Sequence, residues 1–318
     1  MRQKNRLKDI GEFHFIDQIS RLVKTDNSVI KGIGDDAAVL KYTKDKYLLV
    51  TSDMIIEDVH FTRRIKPEQI GHKALACNIS DIASMGGIPR HCIISLGLPA
   101  NLSINFIDRI YKGIYKLSKN FTINIVGGDT NRALKIIIDI TLLGEVQKSK
   151  LVLRSNAKVG DWIFVSGFLG GAQIGSRHAN FIPRLKEARF LVENYKLSSM
   201  IDISDGLILD LSHILESSGV GATIYEEMIP KYKQATTQEA LYTGEDYELL
   251  FTLSRKEAVR LIDNLTHRKN VTPFTPLESK SLTGFTFIGT INDKRSKIEF
   301  IDMKSRIKTL RPKGYRHF

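Results

Sequence analysis

Cysteine is almost absent from this chain. Two occur in 318 residues, Cys77 and Cys92, and neither belongs to a C-x-x-C pattern. That argues against a disulfide framework and against a thiolate zinc site, and it suits a reducing cytoplasm. Long apolar runs are also missing. The longest, Ile136 to Leu143, is interrupted by Asp139 and falls far short of the roughly 20 apolar residues of a membrane span, so no membrane partner is expected. The opening MRQKNRLKDIGEF is charged and carries no apolar stretch of the secretory type. No G-x-x-x-x-G-K-[ST] occurs, so any use of ATP would not run through a Walker-type loop. No G-x-S-x-G occurs, which removes the usual foothold for serine hydrolase chemistry. No tandem repeat or low-complexity segment is visible.

What is present is an ordinary globular composition with a basic balance. Hydrophobic residues make up 42% and charged residues 26%, and the formal net charge is +12. The lysines and arginines are scattered, with one mild concentration from Lys294 to Arg316. No zinc-finger spacing or RNA-binding aromatic signature accompanies them, so nucleic acid is not expected as a partner. The length suits two domains. Strand-like stretches, such as 47–51, 91–98, 122–126 and 135–143, alternate with helical ones at 67–85 and 106–117. Pro67 suits a first turn, and Gly86-Gly87 suits a helix end. A polar stretch near 147–150 divides this series from a second: a strand over 161–166, another over 201–203, and a helix over 206–217 capped by Gly219. The expectation is an α+β chain with domains at 1–148 and 149–318.

Aspartate recurs beside glycine and serine: GIGDDAAVL, TSDM, NISDIASMGG, VGGDT and IDISDG. Any one of these acids is more simply read as a turn former or helix cap, Asp205 included. The set reads differently. Asp36, Asp53, Asp81, Asp129, Asp202 and Asp205 have apolar flanks, which place them near a domain interior where unpaired carboxylates are costly. Clustered acids repel and call for a cation. Hard oxygen donors without a Cys or His cluster favour Mg²⁺ over zinc. Asp36 is then a ligand with Asp35 in support. Residues 32–37 also fit G-x-G-x-x-G/A, but a strand-like AVL follows where a helix is needed, and two acids would repel a pyrophosphate. Residues 167–175, GFLGGAQIG, follow a strand and read as a phosphate cradle or a plain tight turn, with Arg154 and Lys158 upstream to offset phosphate charge.

GEFHFI, GIGDDAAVL, TSDMIIEDVHF, KALACNISDIASMGGIP, IVGGDTNR, LRSNAKVGDWIFVSG, MIDISDGLILDLSHI, GEDYELLFT and the terminal KGYRHF together resemble the thiamine-monophosphate kinase family. This family belongs to the superfamily of aminoimidazole ribonucleotide synthetase and selenophosphate synthetase. The aspartate motifs are common to the superfamily; GEDYELLFT and GYRHF are what separate this family within it. The resemblance implies a two-domain synthetase-like fold: an N-terminal mixed α/β domain that pairs into a shared barrel in a homodimer, and a C-terminal layered α/β domain. It implies ATP-dependent phosphorylation of thiamine phosphate to thiamine diphosphate, with several Mg²⁺ ions held by the six aspartates. Thr51, Ser52, Gly128, Arg154 and Ser204 take the place of nucleotide or phosphate contacts. His60, Glu245 and Tyr315 take the place of thiamine phosphate contacts.

The chemistry is coherent with that residue set. A phosphate acceptor with a second pKa of about 6 is already mostly dianionic at neutral pH and needs no general base. Glu245 and Asp246 can meet the fixed positive charge of the thiamine, and Tyr315 or Phe61 can stack on it. Two stretches depart from the family. GFLGGAQIG stands where GxLGxSAxGL is usual, and the segment between Gly175 and Met200 is short, with HANFIPR in place of H-x-R-P-x-P-R. The alternative these departures motivate is a catalytically degenerate nucleotide-binding protein.

Overall fold

The structure, a computed structural model, describes residues 6–267 and 284–315. Two short helices, α1 (Leu7–Ile10) and α2 (Glu12–Leu22), precede a first sheet. Its strands are β1 (Val29–Lys31), β2 (Ala38–Lys41), β3 (Lys46–Ile56), β4 (Ile88–Leu98), β5 (Asn124–Arg132) and β6 (Ile137–Gln147), in the order β1-β2-β3-β6-β4-β5. Only β4 and β5 run parallel. The sheet stays open at β1 and β5, so the barrel expected from the resemblance is not a property of one chain.

Strict alternation in β6 explains how the sheet chooses its faces. Ile138, Ile140 and Leu142 are buried, while Asp139 and Thr141 between them point the other way. The buried face receives α3 (Pro67–Ser84), which packs beside α4 (Ile104–Asn120). These two helices approach closely because each contributes a glycine. A Cβ at Gly71 would lie 2.0 Å from the Ile110 carbonyl oxygen, and one at Gly113 would lie 1.9 Å from that of Glu68. Ser103 caps α4 by accepting the Phe106 N–H, a contact worth about 1 kcal/mol.

The second half forms a seven-stranded sheet. Its strands are β7 (Trp162–Ser166), β8 (Leu197–Asp202), β9 (Gly221–Tyr225), β10 (Leu249–Leu253), β11 (Phe285–Asn292), β12 (Ile298–Ile301) and β13 (Ile307–Leu310), in the order β13-β12-β9-β11-β7-β10-β8. Both faces are covered, so its central strands read as apolar runs. Ile163, Val165 and Ile201 pack with α6 (Leu207–Ser218) and α7 (Thr237–Tyr242). Phe164, Met200 and Phe251 face the opposite way, toward α5 (Leu185–Asn194) and α8 (Arg255–His267). That second core is continuous with the one under the first sheet. The two halves therefore share apolar packing, and α3 lies where they meet, touching both α5 and β8.

Expected elements differ mainly at their ends. The strand expected over 122–126 begins at Asn124, because Thr122 takes a left-handed turn (φ 57), and it runs on through Gly127, Gly128 and Asp129. The short segment after Gly175 holds one 3-10 turn (Ile174–Ala179) before the ten-residue α5.

Candidate active site

The site lies at the meeting of the two halves. Asp36 leaves the glycine turn and accepts from Ser84 Oγ at 2.5 Å and from Arg154 Nε at 3.0 Å. Asp35 beside it accepts the Arg154 backbone N–H at 3.2 Å, and its Oδ2 is buried without a hydrogen-bond partner. Asp81 is in the last turn of α3 and accepts from Thr51 Oγ1. Asp202 ends β8, fully packed, and accepts from Ser80 Oγ at 2.5 Å. Asp205 is not the helix cap its position permits. Asp210, one turn into α6, accepts the N–H groups of Asp205 and Gly206, each at 3.0 Å. That leaves the Asp205 side chain to line the cleft.

These acids raise one another's proton affinity. Burial, then Asp36 and Asp53, pushes Asp202 up to about 8. Burial, then Asp139, Asp36 and Asp205, pushes Asp53 up to about 6. Burial, then Asp53, Asp202 and Asp36, holds Asp81 well above the carboxylate range. Asp35 is pushed up to about 6 by burial and by Asp36. Repulsion among oxygen donors that Arg154 relieves only in part, with a buried carboxylate oxygen that accepts no hydrogen bond beside them, fits a site for a hard cation. Among the described residues, no three His, Cys, Asp or Glu side chains form a ready-made cage for one ion.

A cavity of about 450 Å³ opens from this rim. Asp53, Asp81 and Asp205 line it together with His60, Glu245 and Tyr315. His60 accepts the Ile56 N–H at Nδ1 (3.0 Å), so the ring proton of its neutral form sits on Nε2. Tyr315 is tied in through its own N–H to the Asp205 carbonyl. Residues 316–318 of the GYRHF motif lie outside the described residues.

Not every expected residue comes to this place. Ser52 projects from the opposite face of β3, where its hydroxyl bonds Asp139 and Thr141. Asp129 is exposed on the edge strand, in register with Ser95 and so in line with Asp139 on that same outer face. Gly128 is a packing residue: a Cβ there would stand 1.8 Å from the Ile94 carbonyl oxygen. The glycine loop does cradle an anion, but the anion is internal. Gly170 and Gly171 donate their N–H groups to the Asp246 carboxylate at 2.7 and 3.1 Å. Burial still pushes Asp246 up to about 7. Lys158 lies away from the cleft, beside Asp161.

Lys73, Cys77, Ser80 and Ser84 escaped the sequence reading. With Asp81 they recur at helical spacing along α3, a polar stripe on a largely buried helix. That stripe is the signal that could have found them.

A mixed two-sheet architecture with an acid-lined cleft between the halves defines the class of AIR synthase related proteins. The N-terminal domain model of that class matches residues 34–146, and its C-terminal domain model matches 159–271. Thiamine-monophosphate kinase of Buchnera aphidicola (from Acyrthosiphon pisum) is 34% identical, over 96% of this chain and 98% of that one. The Aquifex aeolicus protein of the same name is 32% identical, over 98% and 100%. The solved structure of AaThiL complexed with AMPPCP and TMP superposes with a TM-score of 0.82 at 31% identity, covering 99% of this chain and all of that one. The chain belongs to the thiamine-monophosphate kinase family.

Proposed function

We infer that this chain transfers the γ-phosphoryl group of ATP to thiamine phosphate, giving thiamine diphosphate and ADP. The observation that carries it is the composition of the cleft cavity: mutually repelling carboxylates lining it together with His60, Glu245 and Tyr315. The bond from the γ-phosphorus to the β–γ bridging oxygen breaks, and a bond to a phosphate oxygen of the acceptor forms. The acceptor is already ionised, so no side chain need remove a proton. Held by Asp36, Asp53, Asp81, Asp202 and Asp205, Mg²⁺ would neutralise the two polyanions and align them. Asp129, Ser52 and Gly128 stay in the set on the resemblance alone. Arg154, paired with Asp36, would supply positive charge to a phosphate held at the acids, and Ser204 stands at the rim. Glu245 supplies negative charge to the thiamine ring, and Tyr315 an aromatic face.

The unit is a homodimer in this reading. Support comes from the outer face of the first sheet, where Met54 and Ile93 are 51% and 40% exposed beside Ser52 and Asp139. A second copy laid on that face would cover them and close the open sheet. The domain boundary falls near residue 148; the two family matches, 34–146 and 159–271, leave it room. Both cysteines are buried and unpaired, which suits the cytoplasm.

The test is direct. Purified protein with Mg²⁺, ATP and thiamine phosphate should form thiamine diphosphate, read by fluorescence after oxidation. Asp205→Asn should form little. Wild type that binds ATP and forms no product would favour a degenerate binder or a different acceptor.

A further inference from the structure

Lys73 lies in the second turn of α3, in the middle of the molecule, with 0% exposure. An ammonium has three hydrogens, and here three acceptors meet it. They are the His60 carbonyl oxygen at 2.9 Å, His178 Nδ1 at 3.0 Å, and Glu245 Oε1 in an ion pair. The three partners come from separate segments: the β3–α3 connection, the turn over 174–179, and the loop before β10. Burial and the adjacent Lys73 hold His178 below its ordinary pKa, so its Nδ1 is available to accept. A fully buried ammonium is costly, and an apolar side chain would pack a helix core at less cost.

The Glu245 loop shows why a brace is needed. Glu245 and Tyr247 both hold left-handed backbone, at φ 69 and φ 51, a conformation that ordinary side chains adopt at a cost. Their N–H groups are tied to the carbonyls of Ser204 and Ile203. The backbone is therefore set by the second half of the chain, and the Glu245 carboxylate by Lys73 from the first. Two of the three residues that Lys73 holds, His60 and Glu245, line the cavity, and His178 does not.

We propose that Lys73 is a positioning residue for thiamine phosphate: it fixes the Glu245 carboxylate and the His60 main chain against the cavity, across the boundary between the two halves. It does not contact the reacting phosphates. The assignment rests on the kinase reading above and deepens it.

Steady-state kinetics with Lys73→Met, Lys73→Gln and Lys73→Arg test it, alone and in a Glu245→Gln background. The neutral variants should raise KM for thiamine phosphate about tenfold or more, the worth of a charge-assisted hydrogen bond. KM for ATP should stay within about twofold. Lys73→Arg, which keeps the charge, should recover part of the loss. In Glu245→Gln, removing Lys73 should add little, because its main partner is already neutral. Equal rises in both KM values, or losses that simply add, would overturn the assignment. So would neutral variants that do not fold, since Lys73 would then be a stability element. Wild type that makes no thiamine diphosphate condemns the kinase reading instead, and that result is visible before any variant is compared.

Discussion

Asp202→Asn should make the metal-free protein more stable and the enzyme nearly inactive. Asp202 is fully packed, and its pKa rises from 3.8 to about 8 through burial, Asp36 and Asp53. At pH 7 an unfolded chain ionises this carboxyl freely, whereas the folded chain must keep it protonated or bear the repulsion. Each pKa unit is about 1.4 kcal/mol, so at pH 7 the group favours the unfolded state by about 4 kcal/mol. Asparagine removes that term and can still accept from Ser80, though its amide needs a partner of its own. A net gain of about 2–4 kcal/mol remains, or roughly 5–10 °C in melting temperature. The pH dependence follows from a raised carboxyl. The wild-type contribution is intact below the unfolded pKa and is lost as pH rises toward 8. The advantage of the variant should therefore shrink between pH 8 and pH 5. Thermal melts in EDTA across that range, with turnover measured in Mg²⁺, form the assay. Turnover should fall about 100-fold or more. A variant that melts below wild type in EDTA at pH 8, or whose advantage is the same at pH 5, refutes the electrostatic account.

Three further outcomes are expected. Gly128→Ala should lower stability by about 1–3 kcal/mol and impair turnover, because its Cβ would sit 1.8 Å from the Ile94 oxygen and must push β5 off the sheet; melting curves and initial rates decide it. Arg154→Met leaves buried Asp36 without its cation and should cost about 3–5 kcal/mol in EDTA, with part regained in Mg²⁺; identical melting of variant and wild type in EDTA would count against the pairing. Ile93→Lys, on the exposed face of the first sheet, should shift a dimer to monomer in light scattering, and an unchanged mass would send the interface elsewhere.

Much of this molecule is written locally. Helical spacing from Pro67 to Met85 and apolar runs bounded by glycine announce α3, β4, β7 and α6 within a few residues. The recurring Asp-Gly-Ser motifs announce the acids, and their combination announces the family, because those signals depend only on near neighbours in sequence. What depends on pairing at a distance was not legible. Period-2 alternation says that Ser52 and Asp53 face opposite ways, but only the packing of α3 on one face decides which of them reaches the cleft. The register of β5 on β4 is what sends Asp129 to the outer face. The glycine loop looked open to phosphate until Asp246, 75 residues on from Gly171, folded its carboxylate into it. Lys73 read as one more charge in a basic chain. Its meaning came from Glu245, 172 residues away, which only the closure of the two halves brings to its ammonium.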